Sequence, residues 1–220
     1  MKRSGEQLPL RFERRWGGAR KGAGRPKLDT RTVPHRTRPV HKTRYPLHVT
    51  VRVRDGLPSF REPVIAKVVV ATIAASHRDV FRVVHYSVQD NHVHFVVEAD
   101  DAPSLARGMQ RLNARVARNV NDSLGIHGQV WSERYHAREL RHPRSVRNAL
   151  VYVLMNAKKH GYRFATGIDA LSSASFFDGL VGGARSSKPS PVQTPRTWLA
   201  GVGWRRGGLI RAHEEPRSPN

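Results

Sequence analysis

The most informative shortages in this chain are of cysteine and of acidic residues. No cysteine occurs among the 220 residues, which excludes disulfide bonds and zinc sites built on thiolates. Asp and Glu number 17 against 39 Lys and Arg, so the formal net charge is +22. Such a surplus repels itself within a compact chain unless a polyanion screens it, so nucleic acid is the expected partner class.

Long apolar runs are also absent. The longest, "VIAKVVVATIAA" at 64–75, includes Lys67 and is too short to cross a bilayer. The first residues, "MKRSGEQLPLRFERRW", lack the apolar core of a secretory signal. We therefore expect a cytoplasmic, nucleoid-associated protein with no membrane span. The alternatives are a merely soluble basic protein and one bound to a membrane surface, for which no long basic amphipathic helix is present.

The first 45 residues hold 14 Lys or Arg against three acids, with few aliphatic side chains. This composition predicts a disordered basic arm over 1–45. Within it, "RKGAGRPK" at 20–27 resembles an AT-hook, in which an extended Arg-Pro segment enters the narrow minor groove of A·T-rich duplex DNA. Arg25 is the candidate contact, and non-specific phosphate binding is the alternative.

Residues 46–164 carry the patterns of one α+β domain. Leu47, Val49, Val51 and Val53 alternate with polar residues, which predicts a strand over 46–54. The later patterns predict a helix at 62–79, a β-hairpin of 81–89 and 92–99 around the turn "DN", a helix at 102–125, a strand at 129–140 and a helix at 143–161. The order βαββαβα predicts a ferredoxin-like, four-stranded antiparallel sheet with helices packed on it. Residues 165–220 are rich in Pro and Ser and predict a linker with a short C-terminal extension.

The predicted helix at 102–125 has two stripes. Its apolar stripe faces a core, Ser104 is the predicted N-cap, and Gly125 the predicted end. The second stripe consists of four arginines at helical spacing: Arg107, Arg111, Arg115 and Arg118. A row of charge is usually a solvated face, but four like charges repel along a helix unless phosphates lie over them, and we favour a nucleic-acid face.

The second strand of the hairpin carries two histidines on one side. His92 and His94 project opposite Val93 and Phe95, which mark the covered face, so we expect both imidazoles on the exposed face of the sheet. Two neutral imidazoles at this spacing converge on one cation, and imidazole ligands by themselves favour zinc or another transition metal. The alternative is a pair of surface or hydrogen-bonded histidines.

The last predicted helix carries a second constellation. Tyr152 and Asn156 are four residues apart and share a face, which Lys159 continues. A phenol beside an amide ligand and a histidine pair has a specific use, because a metal polarises a phosphate that the phenol oxygen attacks. Taken alone, Tyr152 is better interpreted as a packed aromatic.

Three segments, "NHVHFVVEA", "VWSERYHARELR" and "ALVYVLMNAKKHGY", resemble in this order and spacing the single-tyrosine HUH transposases. That family comprises insertion-sequence-200-type and REP-associated tyrosine transposases. The resemblance implies that His92, His94 and Asn156 bind Mg²⁺ or Mn²⁺ and that Tyr152 is the nucleophile. It implies cleavage and rejoining of single-stranded or hairpin DNA through a 5′-phosphotyrosine, possible homodimers, and a catalytic domain over 46–164.

The roles of several other residues have more than one interpretation. Tyr86, Tyr135 and Tyr162 compete with Tyr152 as the nucleophile, and His85 is a supporting or structural residue. Arg134 fits a DNA contact, and Trp131 fits either base stacking or the core. The alternative function is a non-catalytic or domesticated nucleic-acid-binding protein on the same fold, since this sheet topology also serves readers of single-stranded RNA.

Overall fold

A computed structural model of the chain describes residues 41–183 and 186–216. Its strands and helices, in chain order, are β1 (Leu47–Arg52), α1 (Pro63–Ala74), β2 (Phe81–Val88), β3 (His92–Ala99), α2 (Ala102–Leu124), β4 (His136–Glu139), α3 (Pro143–Leu154), α4 (Asn156–Lys159) and α5 (Trp198–Gly201). Two 3-10 turns, Ser173–Phe176 and Gly203–Gly207, complete the list. Residues 1–40, with most of the predicted arm and Arg25, lie outside the described part.

The four strands form one antiparallel sheet in the order β2-β3-β1-β4. This is the ferredoxin-like α+β arrangement, and that prediction is confirmed. In the register of the central pair, Thr50 of β1 lies opposite His94 of β3, and Arg52 lies opposite His92. Directly opposed residues point to the same face of a sheet, so Thr50 and His94 are neighbours.

One face of the sheet, here the two-helix face, is covered by α1 and α2. Val49 and Val51 of β1, with Val93 and Phe95 of β3, are fully buried in its core. The alternation of side chains along each strand produces this division. Helix α2 begins one turn earlier than its predicted cap: the Asp101 carboxylate accepts a hydrogen bond from the Ser104 backbone N–H. Gly125 ends the helix as predicted, with a positive φ of 63°.

The opposite face, here the α3 face, is covered by α3 and by the C-terminal segment. Val96 of β3 packs there with Val146, Leu150 and Trp204. The prediction that His92 and His94 project from an exposed face is therefore wrong for His94, which is 4% exposed. The apolar stripe of α3 needs a partner surface, and this side of the sheet supplies it.

The last predicted helix is interrupted. Helix α3 ends at Leu154, Met155 adopts φ −107° and ψ 10°, and a single turn, α4, follows. No glycine or proline marks this break in the sequence. Strand β4 is also shorter than predicted: Trp131 pairs with Val53 as an isolated antiparallel bridge, and the irregular residues 132–135 separate this bridge from β4. The Trp131 ring packs edge-on against Phe60, and its indole N–H donates to the Asn113 carbonyl.

The segment predicted as a linker packs on the domain. Trp204 is 1% exposed and lies against Phe177, with ring centroids 5.2 Å apart. The Glu98 carboxylate accepts hydrogen bonds from the backbone N–H groups of Arg196 and Thr197, at 2.8 and 2.9 Å. A few large apolar side chains anchor this Pro- and Ser-rich chain, which composition alone does not reveal.

The residues just before β1 also contact the sheet. His41, predicted within the arm, is buried and donates a hydrogen bond of 2.9 Å from Nε2 to the Ala99 carbonyl. Helix α1 ends at Ala74 instead of residue 79.

In the part of the chain that the structure describes, no helix has the length and apolarity that crossing a membrane requires.

Candidate active site

His94 lies at the centre of a buried cluster on the α3 face. Its Nδ1 is 2.9 Å from Oγ1 of Thr50 and 3.3 Å from Nε2 of His48, both on β1. Its Nε2 is buried and has no hydrogen-bond partner among residues 41–183 and 186–216. When Nδ1–H donates to the Thr50 hydroxyl, the lone pair of the ring is on Nε2, which is the tautomer that a metal ligand needs.

His92, two residues earlier, is half-buried beside it. The two rings meet edge to face with centroids 4.6 Å apart, and Nδ1 of His92 lies 2.8 Å from Oδ1 of Asn91. That amide oxygen accepts the Nδ1–H, so the Nε2 lone pair of His92 is also available. The exposed ring of His160, which directly follows α4, has its centroid 5.3 Å from that of His92.

Burial keeps these imidazoles neutral. Desolvation, and then the neighbouring His160, lower the pKa of His92 to about 4, although Asn156 and Asp90 oppose this. Desolvation also holds the pKa of His94 well below its usual range. Burial and then Arg138 lower the pKa of His48 to about 4. At neutral pH the cluster therefore presents lone pairs and no charge, which favours a cation.

Tyr152 reaches this cluster from α3. Its ring contacts those of His94 and His48 edge to face, with centroids 5.0 and 5.5 Å apart. The ammonium of Lys159 lies 5.3 Å from the ring centroid of Tyr152. Because Tyr152 stands near the end of α3 and α3 lies across the sheet, the helix delivers the phenol to the histidines of β3.

The competing tyrosines are placed elsewhere. Tyr86 and Tyr135 belong to the core of the two-helix face. The Tyr162 hydroxyl donates to the Asp90 carboxylate, 3.0 Å from each oxygen. Of these candidates, only Tyr152 contacts His94.

Asn156 completes the cluster from the first turn of α4. Its side chain is 0% exposed, and among the described residues neither Oδ1 nor Nδ2 has a partner at good hydrogen-bond geometry. The amide is nevertheless close enough to His92 for a weaker hydrogen bond, which acts to raise the pKa of that imidazole. A buried amide without partners is costly, so a native site normally supplies a ligand for it.

The donor atoms fit a divalent cation. The unpartnered Nε2 of His94, the Nε2 of His92 and the Oδ1 of Asn156 are the atoms that would meet it. Within residues 41–183 and 186–216, no three His, Cys, Asp or Glu side chains group as a metal site. A metal at this place would therefore depend on the amide as its third ligand, with water in the remaining positions.

The predicted arginine stripe lies on the other side of the molecule. The four side chains are on the outer surface of α2, which covers the two-helix face, and they line a groove of about 240 Å³ together with Arg78. Arg115 also donates to the Ala75 carbonyl, at 2.7 Å. The structure thus separates this surface from Tyr152 by the full thickness of the sheet.

Two further residues singled out in the sequence stand apart from the histidines. Arg134 is exposed in the chain that leads to β4. His85 is buried against Ser173 and Phe177, with Nδ1 3.1 Å from the Ser173 hydroxyl. His85 is thus a packed residue of the α3 face and makes no contact with the His92–His94 pair.

The sequence patterns missed His48 and Thr50. Both alternate with Leu47, Val49 and Val51 in "LHVTVR", so the face they occupy was available from the alternation. What was missing is the register between β1 and β3, which puts Thr50 opposite His94.

Comparison with known proteins identifies the fold and the family. A solved structure described as a REP-associated tyrosine transposase bound to a REP hairpin superposes with a TM-score of 0.53 at 16% identity, over 64% of this chain and 82% of that one. The shared architecture is that of the single-tyrosine HUH transposases. A family model described as IS200-like transposase matches residues 41–154, more than half of the chain, and the chain belongs to that family. No curated protein matched the chain in the comparison.

Proposed function

We propose that this protein is a metal-dependent single-stranded DNA transposase that cuts and rejoins DNA through Tyr152. One observation carries the proposal: the Tyr152 ring packs against His94, whose Nε2 is buried and unpartnered, beside the unpartnered amide of Asn156. A candidate nucleophile and a set of polar atoms that could ligate a metal therefore share one cluster, which is the arrangement expected for cleavage of a phosphodiester.

His92, His94 and Asn156 would hold the cation. Imidazole ligands also suit zinc, but we propose Mg²⁺ or Mn²⁺, as the family resemblance implies. When bound, the cation polarises the scissile phosphate and stabilises the charge that develops on it. The protein contributes the neutral imidazoles, the orientation of Tyr152 and the positive charge of Lys159 near the phenol.

The proposed step conserves the number of phosphate ester bonds. The Tyr152 phenol loses its proton, and its oxygen bonds to phosphorus as the bond between phosphorus and the 3′ oxygen breaks. The departing 3′ oxygen takes up a proton, and the 5′ phosphate stays on the tyrosine. Attack by a DNA 3′-OH on this ester reverses the exchange and rejoins a strand without ATP.

We further propose where DNA lies. The solved structure with the same fold is described as bound to a REP hairpin, which supports hairpin or single-stranded DNA as the substrate here. Lys159 would contact the strand near Tyr152. Arg134 would contact it elsewhere on the surface, and Arg25 an A·T-rich duplex. The stripe of Arg107, Arg111, Arg115 and Arg118 would hold phosphates on the two-helix face, where no acidic residue lines the groove among those described.

The domain and cellular assignments are proposals of the same kind. Residues 46–164 would form the catalytic domain, preceded by the basic arm, and the protein would act in the cytoplasm at the nucleoid, alone or as a homodimer. The alternative is a domesticated, non-catalytic DNA-binding protein, which would keep the fold and the positive charge without cleaving.

A covalent-adduct assay separates the two. The protein is incubated with Mn²⁺ and a broad pool of single-stranded hairpin oligonucleotides, and the products are run on a denaturing gel. We expect a shifted protein–DNA species that Tyr152→Phe abolishes while DNA binding survives. Tyr162→Phe is the matched control and should keep the adduct. Intact binding with no adduct from any oligonucleotide would establish the non-catalytic alternative.

A further inference from the structure

A groove of about 550 Å³ lies at the N-terminal end of α3, on a surface that the sequence patterns did not single out. It is bounded by the residues before β1, the start of α3 and α5. Its principal lining side chains are Arg44, Tyr45, Arg141, His142 and Trp198. None of the described residues that line it is acidic, although Arg141 pairs with the Glu139 carboxylate at 3.0 Å.

Trp198 is the exposed aromatic of this groove. Its side chain is 51% exposed, an unusual placement for the largest apolar residue. The ring nevertheless rests on Gly203, where an added Cβ would come within 2.6 Å of a ring carbon. The guanidinium of Arg206 lies 5.0 Å from the ring centroid. The glycine thus allows the close approach that holds the indole in place.

Tyr45 forms a second pair of the same kind. The guanidinium of Arg44 lies 4.9 Å from its ring centroid, and the half-buried ring also lines the groove. Aromatic faces beside guanidinium groups are typical of single-strand binding surfaces, since bases stack on the rings and phosphates pair with the arginines. Two such pairs flank one groove here.

We propose that this groove, here the Trp198 groove, binds single-stranded DNA by stacking bases on Trp198 and Tyr45. The proposal rests on the proposed function, since it extends the path of the DNA strand that Tyr152 would cut. Pro143 lines the groove and begins α3, and Tyr152 stands nine residues further along that helix, about 13 Å at 1.5 Å per residue. A strand held at Tyr152 therefore reaches the groove within a few nucleotides.

Trp198 lies outside residues 41–154, the part that the family model matches. The groove is thus built from two sources. The part that the family model matches supplies Arg44, Tyr45 and Arg141, and the C-terminal segment supplies Trp198, beside which Arg206 lies. This gives the packed C-terminal segment a role beyond covering α3, namely the selection of single strands next to the cleavage site.

Fluorescence titration of the full chain, without metal, tests the groove. The probe is a single-stranded oligothymidylate of about 12 nucleotides, and the readouts are tryptophan quenching and affinity from competition. We expect Trp198→Ala to lose most of the quenching and to bind about tenfold more weakly, because the variant loses the aromatic ring on which one base stacks. Trp198→Tyr should restore most of the affinity, and Val202→Ala, an exposed neighbour outside the groove, should change neither readout.

Each outcome bears on one proposal. Unchanged affinity in Trp198→Ala, or an equal loss for a duplex probe, would overturn the stacking groove, because duplex bases are not available to stack. If binding depends on Trp198 but the Tyr152 assay yields no covalent adduct, the proposed stacking groove is supported and the proposed transposase activity is rejected. Circular dichroism confirms that each variant is folded, and Arg206→Gln provides a second test if Trp198→Ala is not, with weaker binding and a smaller salt dependence expected.

Discussion

Nδ1 of His94 and Oγ1 of Thr50 lie 2.9 Å apart on adjacent strands, both facing α3. When the Thr50 hydroxyl accepts the Nδ1–H, the lone pair of His94 is on Nε2, which is buried and has no hydrogen-bond partner among the described residues. Nε2 of His48 lies 3.3 Å from the same nitrogen. The state of the imidazole is therefore set by a neighbouring strand, before any ligand is present.

Replacement of Thr50 tests this relationship directly. We expect Thr50→Val to weaken Mn²⁺ binding by about tenfold or more, because the ring loses the acceptor that fixes its tautomer. Thr50→Ser, which keeps the hydroxyl, should bind as the wild type does. The free Mn²⁺ signal in electron paramagnetic resonance measures both, and equal affinities in all three proteins would show that Thr50 has no such role.

Asn156 is predicted to cost stability in the metal-free protein. Its amide is fully buried without partners, so Asn156→Leu should raise the free energy of unfolding by about 1–2 kcal/mol. The same variant should lose the increase in melting temperature that Mn²⁺ gives the wild type. Calorimetry with and without Mn²⁺ measures both effects. A destabilised variant that still responds to Mn²⁺ would contradict the assignment of Asn156 as a ligand.

The buried His85 predicts a loss of stability in acid. Desolvation lowers its pKa to about 4, whereas in the unfolded chain it is near 6.5. Between these values only the unfolded state binds the proton, so the free energy of unfolding falls as the pH drops from about 6.5 to 4, by up to roughly 3 kcal/mol. Urea titrations should show a shallower fall in His85→Gln. The exposed His127, replaced in the same way, is the control, and parallel curves for wild type and His85→Gln would refute the prediction.

The arginine stripe on α2 should act on affinity and leave cleavage unaffected. Replacing Arg107 and Arg111 by Gln removes two charges from the groove, which should reduce the slope of log affinity against log salt by about 1.4 for single strands. At saturating DNA the rate of adduct formation should not change, because the sheet separates α2 from Tyr152. Lys67→Gln, on the neighbouring α1, is the control. If Lys67→Gln reduces the slope of log affinity against log salt by the same amount per charge, the effect is due to net charge alone.

Two tryptophans of the C-terminal segment should differ sharply in their effect on stability. Trp204 is 1% exposed against α3, so Trp204→Ala should lower the free energy of unfolding by about 3–5 kcal/mol. Trp198 is 51% exposed, and its replacement by Ala should cost less than about 1 kcal/mol. Chemical denaturation of the pair measures the difference. Similar midpoints would mean that the segment does not stabilise α3.

Several features followed from the sequence because they depend only on local spacing or on sums. The charge of +22 is a sum over the chain and indicates a polyanionic partner whatever the fold. Strand alternation puts His92 and His94 on one face, and the order of elements predicted the ferredoxin-like sheet. The spacing of Tyr152 and Asn156 on the last helix brought both candidates together before their surroundings were known.

Only the tertiary structure decided what those residues meet. The alternation along β1 gives the face of Thr50 but not its register against β3, and that register makes it the partner of His94. Helix docking is likewise a long-range event: it buries His94 under α3 and carries the arginine stripe to the opposite layer. The C-terminal segment shows the same limit, since a few apolar side chains among Pro and Ser dock only where α3 offers a surface to cover.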